Sequence, residues 1–124
     1  MDPCEKHGFL VKRGLRVKTW KKRYFTFEDG VLTYRKSDRP NAKILREDYV
    51  ADVLYWDGRR HKHGLCVRLR SGRALYLSAR SEDEASDWYN AVTAYLQRQQ
   101  LAYEFRRLLT RRQLAPIMES FWES

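Results

Sequence analysis

Between Lys12 and Arg23 the chain carries seven basic side chains and no acidic one: Lys12, Arg13, Arg16, Lys18, Lys21, Lys22 and Arg23. Ammonium and guanidinium groups at this density suit the binding of a compact anion with several oxygens. Each donates N–H bonds to a charged acceptor, and a guanidinium can grip two oxygens at once. Spacing decides whether they act together. In the run GFLVKRGLRVKTWKKRYFTFEDG the residues alternate on either side of a basic loop, the pattern of two strands joined at that loop. Period two then puts Leu10 and Lys12 on one face of the first strand, and Lys21, Arg23, Phe25 and Phe27 on one face of the second. Each inner face is apolar until it nears the shared loop, where it turns cationic. The result is a cup with a greasy floor and a charged mouth, suited to a multiply phosphorylated head group. Trp20, among the basic residues, is expected to brace the loop or dip toward lipid.

These residues need a frame, and strand signals recur at short spacing: 7–13, 20–28, 31–37, 43–46, 50–56, 64–70 and 73–78. Asp29-Gly30 and Ser71-Gly72 read as tight hairpin turns, Asp57-Gly58 opens a basic loop, and Arg39-Pro40-Asn41 breaks the run. Seven strands without intervening helices predict an antiparallel sandwich or barrel. Ser81-Glu82-Asp83-Glu84 then reads as a capping box, the serine oxygen taking a free N–H while Glu84 reaches back to the cap. The helix that follows has Ala85, Trp88, Ala91, Val92, Tyr95 and Leu96 on one stripe, able to close an open end of the barrel. Its pattern persists through Phe105 and Leu109 as far as Gln113. Pro116 should stop it, and a short second helix fits with Leu114, Ile117, Met118 and Phe121 on one side. The expected division is a barrel domain over 1–97 and a helical C-terminal extension over 98–124.

Lys12, then eight residues, Lys21, one residue, Arg23 and an aromatic resembles the phosphoinositide signature of pleckstrin homology (PH) domains. The run RVKTWKKRYF is most similar to the cytohesin and protein kinase B versions, whose ligands are 3-phosphorylated phosphatidylinositols. The resemblance covers roughly residues 7 to 97, helped by DGVLTY at 29–34 and a late helix carrying Trp88. It implies a mainly β fold, a seven-stranded antiparallel barrel capped by a C-terminal helix. It also implies Tyr34 as a phosphate-contacting residue, consistent with its place on the same face as Leu32, and Arg16 as a head-group contact from the loop. The expected site is therefore Lys12, Arg16, Lys21, Arg23 and Tyr34. Some members hold ligand outside the first hairpin, against the loop after the fifth strand. By that likeness Arg13, Lys22, Arg59, Arg60 and Lys62 form a candidate secondary anionic site, with a solvated turn as the alternative. Cytohesins carry an extra hairpin between the sixth and seventh strands, where this chain has only Ser71-Gly72.

Composition bounds the rest. At 124 residues the chain fits one domain. Its 25 Lys and Arg against 16 Asp and Glu give +9, which favours polyanions: an anionic membrane surface, an acidic partner or nucleic acid. Nucleic acid is the less favoured, because the alternation puts Phe25 and Phe27 inside rather than where bases would stack. Two cysteines, no secretory signal and no long apolar span point to a reducing cytosol. Recruitment to the cytosolic face of the plasma membrane or endosomes is the expectation. His61, His63 and Cys66 lack zinc-site spacing, no nucleophile elbow, phosphate loop or zincin pair occurs, and neither metal, cofactor nor catalysis is expected. A second role, binding a protein partner or self-associating, falls to residues 98–124, where Phe121-Trp122 and the stripe from Leu114 offer apolar surface.

Overall fold

The computed structural model describes residues 2–14, 19–58 and 61–110. Six strands, β1 (Lys6–Arg13), β2 (Trp20–Glu28), β3 (Val31–Arg35), β4 (Ile44–Trp56), β5 (Gly64–Leu69) and β6 (Ala74–Ser78), close an antiparallel barrel in sequential order. A single long helix, α1 (Glu82–Thr110), follows. Alternation fills the interior as predicted: Leu10, Phe25, Phe27, Leu32, Tyr34, Leu75 and Leu77 are all buried, the two phenylalanines completely. The Asp29-Gly30 turn takes positive φ at both residues (51° and 81°), the geometry that lets a two-residue hairpin follow the right-handed twist of β2 and β3.

One difference concerns the middle of the chain. The strands expected at 43–46 and 50–56 are two halves of one, β4. Its first half pairs with β3 through Tyr49, and its second pairs with β5 from Val50 onward. A register shift between Val50 and Asp52 marks where it passes from one side of the barrel to the other. An extra residue there adds bend and twist without ending the strand, so the barrel has six strands rather than seven.

Helix α1 begins as the sequence indicates, with Ser81 Oγ accepting the Glu84 N–H at 3.1 Å. The second half of the expected box does not form: the Glu84 carboxylate pairs with Lys6 at 3.5 Å and Arg80 at 3.7 Å instead. Ala85, Trp88, Ala91 and Val92 are buried against the barrel, and Trp88 meets Phe25 edge-on at 6.5 Å. The helix runs unbroken past Leu96 to Thr110. The expected second helix, with Leu114, Pro116, Ile117, Met118, Phe121 and Trp122, lies outside the described residues.

Candidate ligand-binding site

The first hairpin holds its two strands in the register Lys12↔Lys21 and Leu10↔Arg23. Tyr34 reaches the same place because Phe25 pairs with it across β2 and β3, their rings 5.1 Å apart. Lys12, Lys21, Arg23 and Tyr34 accordingly line one open cleft of about 270 Å³, with Gly14, Thr19 and Leu45 completing its wall. Lys12 Nζ stands 5.3 Å from the centre of the Tyr34 ring. It donates a long hydrogen bond to the Arg13 carbonyl at 3.4 Å, while Arg23 Nη1 donates to the Lys22 carbonyl at 3.0 Å. Arg16 lies outside the described residues.

Two further cations belong to this cluster and were not singled out from sequence. Arg46 sits opposite Tyr34 in the β3–β4 ladder. Arg73 precedes β6 by one residue, and period two places it on the inward side with Leu75 and Leu77. That spacing was a readable signal for Arg73. For Arg46 the signal is the β3–β4 register, which the sequence does not print. The Lys12 ammonium is held below its usual pKa of 10.5, first by burial and then by the charges of Arg73, Arg23, Arg46 and Lys21. Arg73 is also held below its usual value, by burial and by Arg46, and its Nε is buried without a hydrogen-bond partner. None of these five cations takes part in an ion pair among the described residues. The cleft therefore gathers an excess of positive charge over an aromatic floor, with Asp48 feeling the charge of Arg46.

Three residues of the candidate secondary site are described, Arg13, Lys22 and Lys62. Arg13 lies over the Tyr76 ring at 4.2 Å and Lys22 over Phe9 at 4.7 Å. Arg59 and Arg60 are outside the described residues. Lys62 is exposed, its carbonyl accepting the Ser78 hydroxyl at 2.6 Å. Trp20 takes the bracing role: it stacks on His61 at 3.9 Å and on Trp56 at 6.0 Å, and Trp56 meets Tyr76 at 5.3 Å. This ladder ties the basic hairpin to the loop after β4.

Other reactive groups are engaged or shielded. Cys4 is buried, and burial pushes the Cys66 thiol above its usual pKa, disfavouring a thiolate at neutral pH. Among the described residues no group of His, Cys, Asp and Glu converges as a metal site would require, and no helix is long and apolar enough to cross a membrane.

A closed antiparallel barrel, a helix with a buried tryptophan, and a basic mouth over the first hairpin together define a class of module. The chain belongs to the PH domain family, whose sequence model matches residues 4–97. Human pleckstrin homology domain-containing family A member 2 is 30% identical over 102 residues, covering 77% of this chain and 24% of that protein. The chain thus spans about a quarter of that relative. The PH domain of human oxysterol binding protein-related protein 11 superposes with a TM-score of 0.65 at 23% identity, covering 79% of this chain and 84% of that one. The C-terminal PH domain of pleckstrin, solved in complex with D-myo-Ins(1,2,3,5,6)P5, gives 0.63 at 23% identity over 73% of this chain and 92% of that one. PH domains are in general binding modules for lipid head groups or proteins rather than enzymes.

Proposed function

We propose that the chain binds phosphoinositides in the mouth of the barrel and is thereby recruited from the cytosol to the plasma or endosomal membrane. Phosphatidylinositol 3,4,5-trisphosphate is the first ligand in this reading and the 3,4-bisphosphate the second. The observation that carries it is the state of Lys12: partly desolvated and crowded by four cations, none of the five taking part in an ion pair among the described residues. Such a cluster raises the free energy of the empty protein, and a polyanion relieves it. A phosphomonoester carries about −1.5 to −2 charges and three acceptor oxygens, so a ring with three of them suits five cations. In this arrangement Lys12, Lys21, Arg23, Arg46 and Arg73 take phosphates, with the Tyr34 hydroxyl beside them and Arg16 reaching in from the loop. Arg13, Lys22, Arg59, Arg60 and Lys62 add attraction for anionic lipid around the head group, about 1 kcal/mol for each cation near the surface. The pleckstrin domain solved with an inositol pentakisphosphate supports the reading by likeness of fold.

Calorimetric titration against a panel of soluble inositol phosphates tests it. The 1,3,4,5-tetrakisphosphate should bind tightest and the 1,3,4-trisphosphate next. Preference for a monophosphate would overturn the ligand, and no binding across the panel would overturn the function.

A second reading concerns the part of α1 beyond the barrel, in a division at residue 97 where the family match also ends. Continuing the buried stripe of Trp88, Val92 and Tyr95 at helical spacing would bring Gln99, Ala102 and Arg106 into line. The large apolar residues lie elsewhere: Leu101, Tyr103 and Phe105 are each at least 60% exposed. A surface of this kind supports contact with a protein partner or a second copy through 98–124, and size-exclusion chromatography with light scattering tests self-association.

A further inference from the structure

The barrel closes on a short seam. β1 meets β6 only through Val11↔Ser78 and Lys12↔Leu77, so before Val11 it has β2 on one side and no strand on the other. Antiparallel alternation tells which main-chain groups face that open side. The Gly14 N–H donates to the Thr19 carbonyl at 2.7 Å, which makes this a bonded pair. Stepping by two in the same register, Lys12, Leu10 and Gly8 turn their N–H and C=O toward β2. Val11, Phe9 and His7 turn theirs the other way. Val11 meets Ser78, but His7 and Phe9 face the 79–81 connection and no backbone hydrogen bond among the described residues joins them to it; there the Ala79 N–H donates to the His63 carbonyl, and the Ser81 carbonyl accepts the Ala85 N–H.

Between them lies a groove of about 520 Å³, lined by His7, Phe9, Leu10, Lys22, Ala79 and Arg80 among others. Its wall is fixed. Phe9 is 40% exposed yet held edge-on by Tyr24 at 5.1 Å, and the Tyr24 hydroxyl bonds His7 Nδ1 at 2.9 Å. Its charge is lopsided. Glu84, the acid on the rim, is shared between Lys6 and Arg80, Arg80 remains 87% exposed, and Lys22 has no ion pair among the described residues.

We infer that this groove takes an extended acidic peptide of a partner protein, added to β1 as a further strand. The free N–H and C=O of His7 and Phe9 recognise peptide main chain, and the alternating side chains of the guest go to the apolar wall and to Lys22 and Arg80. From His7 to Val11 the edge spans about 13 Å, at roughly 3.3 Å per residue, which fits a guest of four to five residues. The groove shares no lining residue with the cationic mouth.

Amide hydrogen exchange by NMR on the full chain tests this, with three probes: acetyl-Val-Glu-Val-Glu-Val-amide, the same peptide N-methylated at alternate residues, and acetyl-Val-Lys-Val-Lys-Val-amide. In the free protein the His7 and Phe9 amides should exchange at least tenfold faster than those of Gly8 and Leu10. The acidic peptide at millimolar concentration should slow them at least tenfold, and the N-methylated one should leave them unchanged. Replacing Lys22→Glu and Arg80→Glu together should lose the acidic peptide and gain the lysine peptide, with unchanged dispersion of the amide spectrum confirming a folded barrel. Full protection of His7 and Phe9 in the free protein would overturn the inference, as would equal effects of the plain and N-methylated acidic peptides. Protection that grows with protein concentration alone would assign the edge to a second copy and overturn it too.

Discussion

Lys12 is both the centre of the candidate site and a source of instability. Its pKa in the folded chain lies below the ordinary 10.5, so between the two values the folded state holds fewer protons than the unfolded state. Stability must then rise with pH across that window, and the cost is fully present at neutral pH. Urea unfolding at stepped alkaline pH should show this rise in the wild type and lose it in Lys12→Met. The same substitution should raise the midpoint at pH 7 while weakening anion binding, the trade expected where function needs unfavourable charge. Arg23→Ala or Arg73→Ala should each weaken inositol phosphate binding by about 1 to 3 kcal/mol, the range for leaving charge-assisted bonds unmade; calorimetry checks both. Lys12, Lys21, Arg23 and Tyr34 were legible because period two on adjacent strands is enough to bring them to one face. Arg46 was not, since its approach depends on which residue of β4 lies opposite Tyr34, and a bulged ladder hides that.

At the scale of elements, the hairpin between β2 and β3 is fixed by more than its turn. A Cβ at Gly30 would run into the Tyr95 ring, and the backbone there has φ +81°. Gly30→Ala should therefore destabilise by at least the 1 to 2 kcal/mol of a left-handed non-glycine residue, with a further loss as Tyr95 leaves its edge-on contact with Phe27 at 5.7 Å. Denaturant titration measures the sum, and a change under 0.5 kcal/mol would contradict the packing. The strand boundaries were read well wherever a turn signal coincided with an end. They were misread in β4, because Glu47, Asp48 and Tyr49 lack the apolar alternation of a half-buried strand. That stretch pairs with β3 just before the strand passes to β5, and hydrogen bonds rather than burial sustain it. The bracing role of Trp20 was half legible: an aromatic among lysines is visible in sequence, but its stack on His61 joins residues 41 positions apart.

For the molecule as a whole, +9 on 124 residues makes the proposed binding to anionic vesicles a sum of specific and diffuse terms. The diffuse part falls away beyond a Debye length, about 8 Å at physiological ionic strength. Raising salt from 0.1 to 0.5 M should therefore reduce vesicle binding by a larger factor than it reduces soluble head-group binding. Parallel loss in co-sedimentation and calorimetry would place all the attraction in the mouth.

The unbroken helix has a mechanical consequence. From 98 to Thr110 it overhangs the family-matched part by thirteen residues, about 20 Å at 1.5 Å per residue. No proline or glycine interrupts that stretch, so it behaves as a stiff lever rooted in the Trp88 socket. If the barrel docks on a bilayer as proposed, any tilt is magnified at the lever's tip, where a fluorophore would register the docking angle directly.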